Sequence, residues 1–272
     1  MRNFFYTLIL LPFVSFAQPT SIVYNATTGD VIRGSLQSEQ LSIASISKLM
    51  TVYTVLKEKQ NLDEVLTVTG KRTVHTKLGK GMKLTRRELV DMALVSSDNW
   101  AAITLSENYP GGQREFVRRM NHYTRELQMT QSGFVEPTGL SALNHSTVFD
   151  LILLTNAVSQ FDIVKQAAQT SRVITRPEGM VQTRYKKKKH EKKKKRIKEP
   201  VRKYLVNNPT STFFGKQGIV TIKTGFTNAA GFCITMLVST NNQLYNIIVL
   251  GARTKQERQK IIEKSLESIQ AT

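Results

Sequence analysis

Three β-rich runs stand close together near the end of the chain: Ile219 to Thr224, Phe232 to Ser239 and Leu244 to Leu250. Only short Asn, Gly and Ala turns separate them, and this constrains the fold more than any other stretch. A matching signal lies at the other end. Ser21 to Tyr24 and Val31-Ile32 bracket Thr27-Thr28-Gly29-Asp30, a turn composition, and read as a hairpin. The period between these ends is helical. From Ser45 onward, Leu49, Met50, Tyr53 and Leu56 recur at helical spacing, which puts Ser45 at or just inside a helix N-terminus. Thr85 to Val95 opens with Thr85 three residues before Glu88, a capping-box pattern. Further helices are expected at Gln113 to Leu127 and Thr147 to Ser159, and an amphipathic helix at Lys255 to Ile269. Strands at both ends with helices between predict one antiparallel sheet closed by the two chain ends and flanked by helices, an α/β chain of the α+β type.

Composition removes several functions. The apolar fraction of 40% in 272 residues supports a packed core. One cysteine, Cys233, excludes an intrachain disulfide, a CxxC redox pair and a Cys-based zinc cluster, and reads as a small buried hydrophobe. His75, His122, His145 and His190 are scattered without metal-ligand spacing and are expected to be structural. No GxGxxG or Walker loop is present. Met1-Arg2-Asn3 followed by the apolar run Phe4 to Phe16 and by Ser15-Phe16-Ala17 reads as a signal peptide cleaved after Ala17, which would place the mature protein outside the inner membrane, in the periplasm.

The net charge of +19 suggests a nucleic-acid protein until its location is noted. Residues 184 to 203 carry thirteen Lys or Arg against two Glu, more than half of the excess. With no apolar face and so many like charges, this segment is expected to be a solvated, mobile surface insertion. Contact of Lys186 to Lys198 with an anionic polymer is the functional alternative. Aromatic residues for base stacking are sparse there, so no specific nucleic acid is expected.

Three short motifs carry chemistry: Ser45-Ile46-Ser47-Lys48, Ser97-Asp98-Asn99 and Lys223-Thr224-Gly225. An S-x-x-K at a helix start puts hydroxyl and amine one turn apart on one face, so an amine of lowered pKa can take the serine proton, and the helix N–H groups can stabilise an oxyanion. Ser97 and Asn99 follow an apolar helix, where a hydroxyl can relay protons and an amide can hold a substrate backbone or Lys48. Lys223-Thr224-Gly225 ends a β-run; its glycine permits close approach of a substrate strand, and its lysine and threonine can bind a terminal carboxylate.

In this order the three motifs resemble the signature of active-site-serine penicillin-binding proteins and class A β-lactamases. Longer blocks add to the likeness: Ile43 to Thr51, Tyr109-Pro110-Gly111-Gly112, Phe134 to Ser141 with Asn144 and Ser146-Thr147, and Lys223 to Gly231 are similar to the low-molecular-mass D-alanyl-D-alanine peptidases, most of all to the endopeptidase branch that cuts peptidoglycan cross-links. The resemblance implies a penicillin-binding/β-lactamase-like domain over residues 18–272, with the Lys-rich insertion at about 184–203. It implies Ser45 as nucleophile, Lys48 as general base and Ser97 as proton relay. Asn99, Lys223, Thr224, Gly225 and Phe226 would bind substrate, the backbone N–H groups of Ser45 and Phe226 forming the oxyanion hole. No cofactor or metal is implied; peptidoglycan peptides would be substrates and β-lactams inhibitors. The chain stops about one helix after the last strand, so the further β-domain and anchor of typical carboxypeptidases are expected to be missing.

Two features depart from the pattern. Asp98 stands where family members commonly carry a small residue, and Glu136-Pro137 resembles the deacylating glutamate of β-lactamases, although Leu140 stands where those enzymes need an asparagine. The alternatives are a carboxypeptidase that removes the terminal D-Ala, a non-catalytic binder of anionic polymers or nucleic acid acting through the Lys-rich run, and, behind these, a β-lactamase.

Overall fold

The first strand of the chain pairs with the last. In a computed structural model, which describes residues 18–170, 173–175, 181–186, 195–200 and 205–270, β1 (Thr20–Asn25) lies antiparallel to β13 (Gln243–Ala252), with Ile22 opposite Ile248. The other side of β1 takes β2 (Val31–Gly34). Beyond β13 come β12 (Gly231–Thr240) and then β11 (Ile219–Thr227), so the sheet runs β11-β12-β13-β1-β2 and β11 is an edge. The expected sheet closed by both chain ends is present. The expected signal peptide, 1–17, lies outside the described residues.

Residues 233–238 of β12 and 245–250 of β13 are buried without a break, so both faces of the sheet centre are covered. Two helices pack on these strands: α5 (Val148–Val158), whose Thr155 bonds to Thr235 and whose Asn156 bonds to Asn246, and α7 (Lys255–Gln270). Four longer helices lie elsewhere in the body: α1 (Ser47–Lys57), α2 (Arg86–Val95), α3 (Asn99–Glu107) and α4 (Gly112–Glu126). The capping box of α2 is made in full, Thr85 Oγ1 accepting from Glu88 N–H and the Glu88 carboxylate from Thr85 N–H. The reading of the sequence does not foresee α3, or the short α6 (Asp162–Ala168), whose seven residues are too few for a clear period.

The remaining strands are short pairs. β3 (Leu41–Ser42) pairs with β6 (His145–Ser146), β4 (Val65–Thr67) with β5 (Lys83–Thr85), and β7 (Val173–Thr175) with β10 (Leu205–Asn207). In the Lys-rich segment, β8 (Val181–Lys186) and β9 (Lys195–Pro200) form an antiparallel ladder with Arg184 opposite Ile197 and Lys186 opposite Lys195. The described arms of this segment are thus paired strands, since backbone pairing needs no apolar face. Residues 187–194 lie outside the described part.

Candidate active site

Ser45 sits in a single 3₁₀ turn, Ala44–Ile46, that leads directly into α1. Two glycines let that turn form. Ala44 has φ +46°, a left-handed backbone for a residue with a Cβ, and it persists because its surroundings leave no alternative. A Cβ on Gly139 would lie 1.8 Å from Ala44 O, and one on Gly225 would lie 3.0 Å from Ser45 N. The loop after α4 and the edge strand β11 therefore press on the backbone of Ser45 from two directions.

Lys48 follows one turn later, with no exposed surface. Its Nζ lies 2.9 Å from Ser45 Oγ, 2.7 Å from Asn99 Oδ1 and 2.7 Å from Thr138 O. Two fixed acceptors hold two N–H groups, so in the neutral amine the lone pair is left for the Ser45 hydroxyl. Burial lowers the pKa of Lys48 from 10.5 to about 7, against the opposing pull of Glu136 and Asp98. A base that is half neutral near pH 7 lies beside a hydroxyl, the arrangement that activates a nucleophile.

The α2–α3 connection supplies the second motif. Ser97 has φ +57°, and Asp98 caps α3 by accepting from Ala101 N–H at 3.0 Å. Asn99 holds Lys48, one of the two roles open to it from the sequence. Ser97 faces the other lysine: Lys223 Nζ donates to Ser97 Oγ and to Thr224 O, each at 2.8 Å. Lys223 is fully buried beneath the surface of the cleft, and burial, with Lys48 and Arg258 nearby, pushes its pKa well down. Thr224 Oγ1 donates to Thr210 Oγ1 at 2.6 Å. Phe226 is half exposed at the mouth and stacks on Phe232 with ring centres 4.2 Å apart. One cleft brings Ser45, Ser97, Asn99, Thr224, Gly225 and Phe226 together.

The Glu136 carboxylate is taken up within its own loop. Its carboxylate accepts from Thr138 N–H at 2.7 Å and Gly139 N–H at 2.6 Å, and its Oε1 takes Asn144 Nδ2 at 3.2 Å. It holds the loop whose Thr138 carbonyl receives Lys48. Cys233 is buried, as expected, and burial raises its thiol to about 11.

Arg258 and His75 are among the cleft residues that escaped the sequence reading. Arg258 of α7 is 4% exposed; its Nη1 donates to Cys233 O at 3.1 Å and its Nε has no partner among the described residues. A signal was there. Arg258, Ile262, Ser265 and Ile269 form the buried stripe of α7, so an arginine occupies an apolar position. His75, expected to be structural, also lines the cleft, and its loop carries no period that would flag it. No group of three or more metal-binding side chains occurs among the described residues.

Residues 14–254 match the S11 peptidase family, described as D-alanyl-D-alanine carboxypeptidase. The chain belongs to this family. It is 36% identical over 241 residues to a D-alanyl-D-alanine endopeptidase of Pseudomonas aeruginosa, covering 87% of this chain and 72% of that one, and 32% identical over 251 residues to a D-alanyl-D-alanine endopeptidase of Escherichia coli with the same coverage. A penicillin-binding protein D2 from Listeria monocytogenes, solved with ampicillin bound, superposes with a TM-score of 0.73 at 26% identity, covering 91% of this chain and 95% of that one. The S11 chain is a hydrolase of the serine DD-peptidase type. No helix among its described residues is long and apolar enough to cross a membrane.

Proposed function

We propose that this S11 peptidase is an exported D-alanyl-D-alanine endopeptidase that hydrolyses the D,D-cross-links of peptidoglycan through an acyl-enzyme on Ser45. The observation that carries the reading is the buried Lys48 amine on the Ser45 hydroxyl, held there by Asn99 and Thr138; the names of the two relatives favour cross-link cleavage over removal of a terminal D-Ala.

The substrate strand lies along the free edge of β11, where unpaired backbone groups accept an added strand. Lys48 takes the Ser45 proton as Oγ attacks the D-Ala carbonyl, and the N–H groups of Ser45 and Phe226 receive the oxyanion. The tetrahedral species collapses as the leaving amine takes a proton from the Ser97 hydroxyl, and the proton that Lys48 took from Ser45 restores Ser97, so that Lys48 is neutral again; Lys223 holds Ser97 from behind. Water then attacks the ester with Lys48 again as base, and Ser45 is released. The carbon next to the scissile nitrogen bears a carboxylate in a cross-link and in a terminal D-Ala alike, and Arg258, with its free Nε, is the cation for it. The signal peptide read over residues 1–17 supports a periplasmic site for this chemistry, and β-lactams acylate the same serine.

Purified protein is expected to be labelled by a fluorescent penicillin and to convert cross-linked muropeptide dimers to monomers, with Ser45→Ala losing both at least a thousandfold while staying folded. Labelling with release of terminal D-Ala alone would transfer the reading to a carboxypeptidase.

A further inference from the structure

Asp98 is buried and holds a neighbouring loop. Thr76 Oγ1 donates to its Oδ1 at 2.9 Å and Lys77 N–H to its Oδ2 at 3.0 Å. Asn99 continues the grip, its Nδ2 donating to Val74 O at 2.9 Å and its own N–H to His75 O at 3.2 Å. Two adjacent motif residues thus fix residues 74–77 with four hydrogen bonds. Within that stretch His75 has φ +49°, a left-handed conformation that is strained for a residue with a Cβ. The strained, pinned position brings His75 to the cleft beside Ser97 and Asn99. Among the described residues its ring has no hydrogen-bond partner and the proposed reaction does not use it.

The charge of the cleft indicates what such a ring meets. His75, Lys255 and Arg258 line it from two separate elements, and among the described residues no carboxylate does. Arg258 is deep and suits the carboxylate beside the scissile bond; His75 is exposed at the rim. We propose that His75 is a specificity-determining residue that donates a hydrogen bond to a second carboxylate of the cross-linked peptide, remote from the bond cut. An imidazole has an N–H to give whether neutral or charged, and a carboxylate accepts it more strongly than the neutral carboxamide that replaces it in amidated peptides. The proposal rests on the endopeptidase reading, because the terminal D-Ala of an uncross-linked stem ends at the first carboxylate.

The test compares cross-linked muropeptide dimers carrying free carboxylates with the same dimers in carboxamide form. Wild type is expected to cleave the carboxylate form about tenfold better in kcat/KM. His75→Asn keeps a residue that tolerates the left-handed backbone, and it is expected to bring the ratio within twofold, chiefly by raising KM for the carboxylate form. His75→Lys is expected to recover part of the preference. Labelling by fluorescent penicillin reports that the Ser45 site remains assembled in each variant. An unchanged ratio in His75→Asn, or an equal loss on both forms, overturns the role of His75 alone. Failure of wild type to cleave either dimer overturns the endopeptidase reading and this proposal with it.

Discussion

Lys48 and Lys223 are both fully buried and approach the same cleft, yet their surroundings sort them into different chemistry. Lys48 has three acceptors and two carboxylates, Glu136 and Asp98, whose attraction offsets part of the desolvation and leaves it near 7. Lys223 has two acceptors, Ser97 Oγ and Thr224 O, and the charges beside it are Lys48 and Arg258, which push in the same direction as burial. The first lysine is supplied with anions by the protein. The second lacks one and is held by neutral oxygens alone. Equal burial therefore does not define equal roles; the sign of the neighbouring charge does.

The largest expected effect separates the two directly. Lys48→Met is expected to slow penicillin acylation at least a thousandfold, since the Ser45 hydroxyl loses its base, whereas Lys223→Met is expected to cost on the order of a hundredfold, because Ser97 loses a partner but the nucleophile keeps its base. Equal losses in stopped-flow acylation would erase the distinction. A second effect depends on pH. The base must be neutral, so the acylation rate is expected to rise about tenfold per unit below pH 7 and to level off above it, following the Lys48 value of about 7. A profile that falls through this range would show that the charged form is the active one.

The smallest effect is on stability. Both lysines lose their protons more readily folded than unfolded, so between about pH 7 and 8.5 the unfolded chain binds more protons and stability rises with pH, by up to about 1.4 kcal/mol per unit for each lysine. Cys233 works against this from about pH 8.5 upward, because its folded thiol keeps a proton that the unfolded one releases. Chemical denaturation across this window is expected to show the rise, and Lys48→Met is expected to flatten it by one lysine's share.

Much of this was legible in the sequence because the chemistry is carried by short local patterns. One helical turn between Ser45 and Lys48 fixes their separation, and a glycine after Lys223-Thr224 allows the approach that Gly225 makes to Ser45. The runs 219–224, 232–239 and 244–250 became β11, β12 and β13, each slightly longer than its apolar part. Less legible was anything decided by distant partners. Glu136 is two residues from Thr138, but only the folded loop shows its carboxylate taken up by the N–H groups of Thr138 and Gly139. The pairing of Lys223 with Ser97 joins residues 126 apart, so the division of labour between the two lysines could not be read from either motif. Asp98 registers in the sequence only as an unusual choice; its purpose lies in Thr76 and Lys77, more than twenty positions away.

The pairing of β1 with β13 sets an order of events in time. Residues 20–25 have no partner on one side until residues 243–252 have been made, so the first strand waits for almost the whole chain before the sheet can close. Such long-range pairing slows folding. It also means that a chain made only as far as α6 contains Ser45 and Lys48 but not β11, whose Gly225 packs against the Ser45 backbone, so the cleft stays incomplete until that late strand is in place.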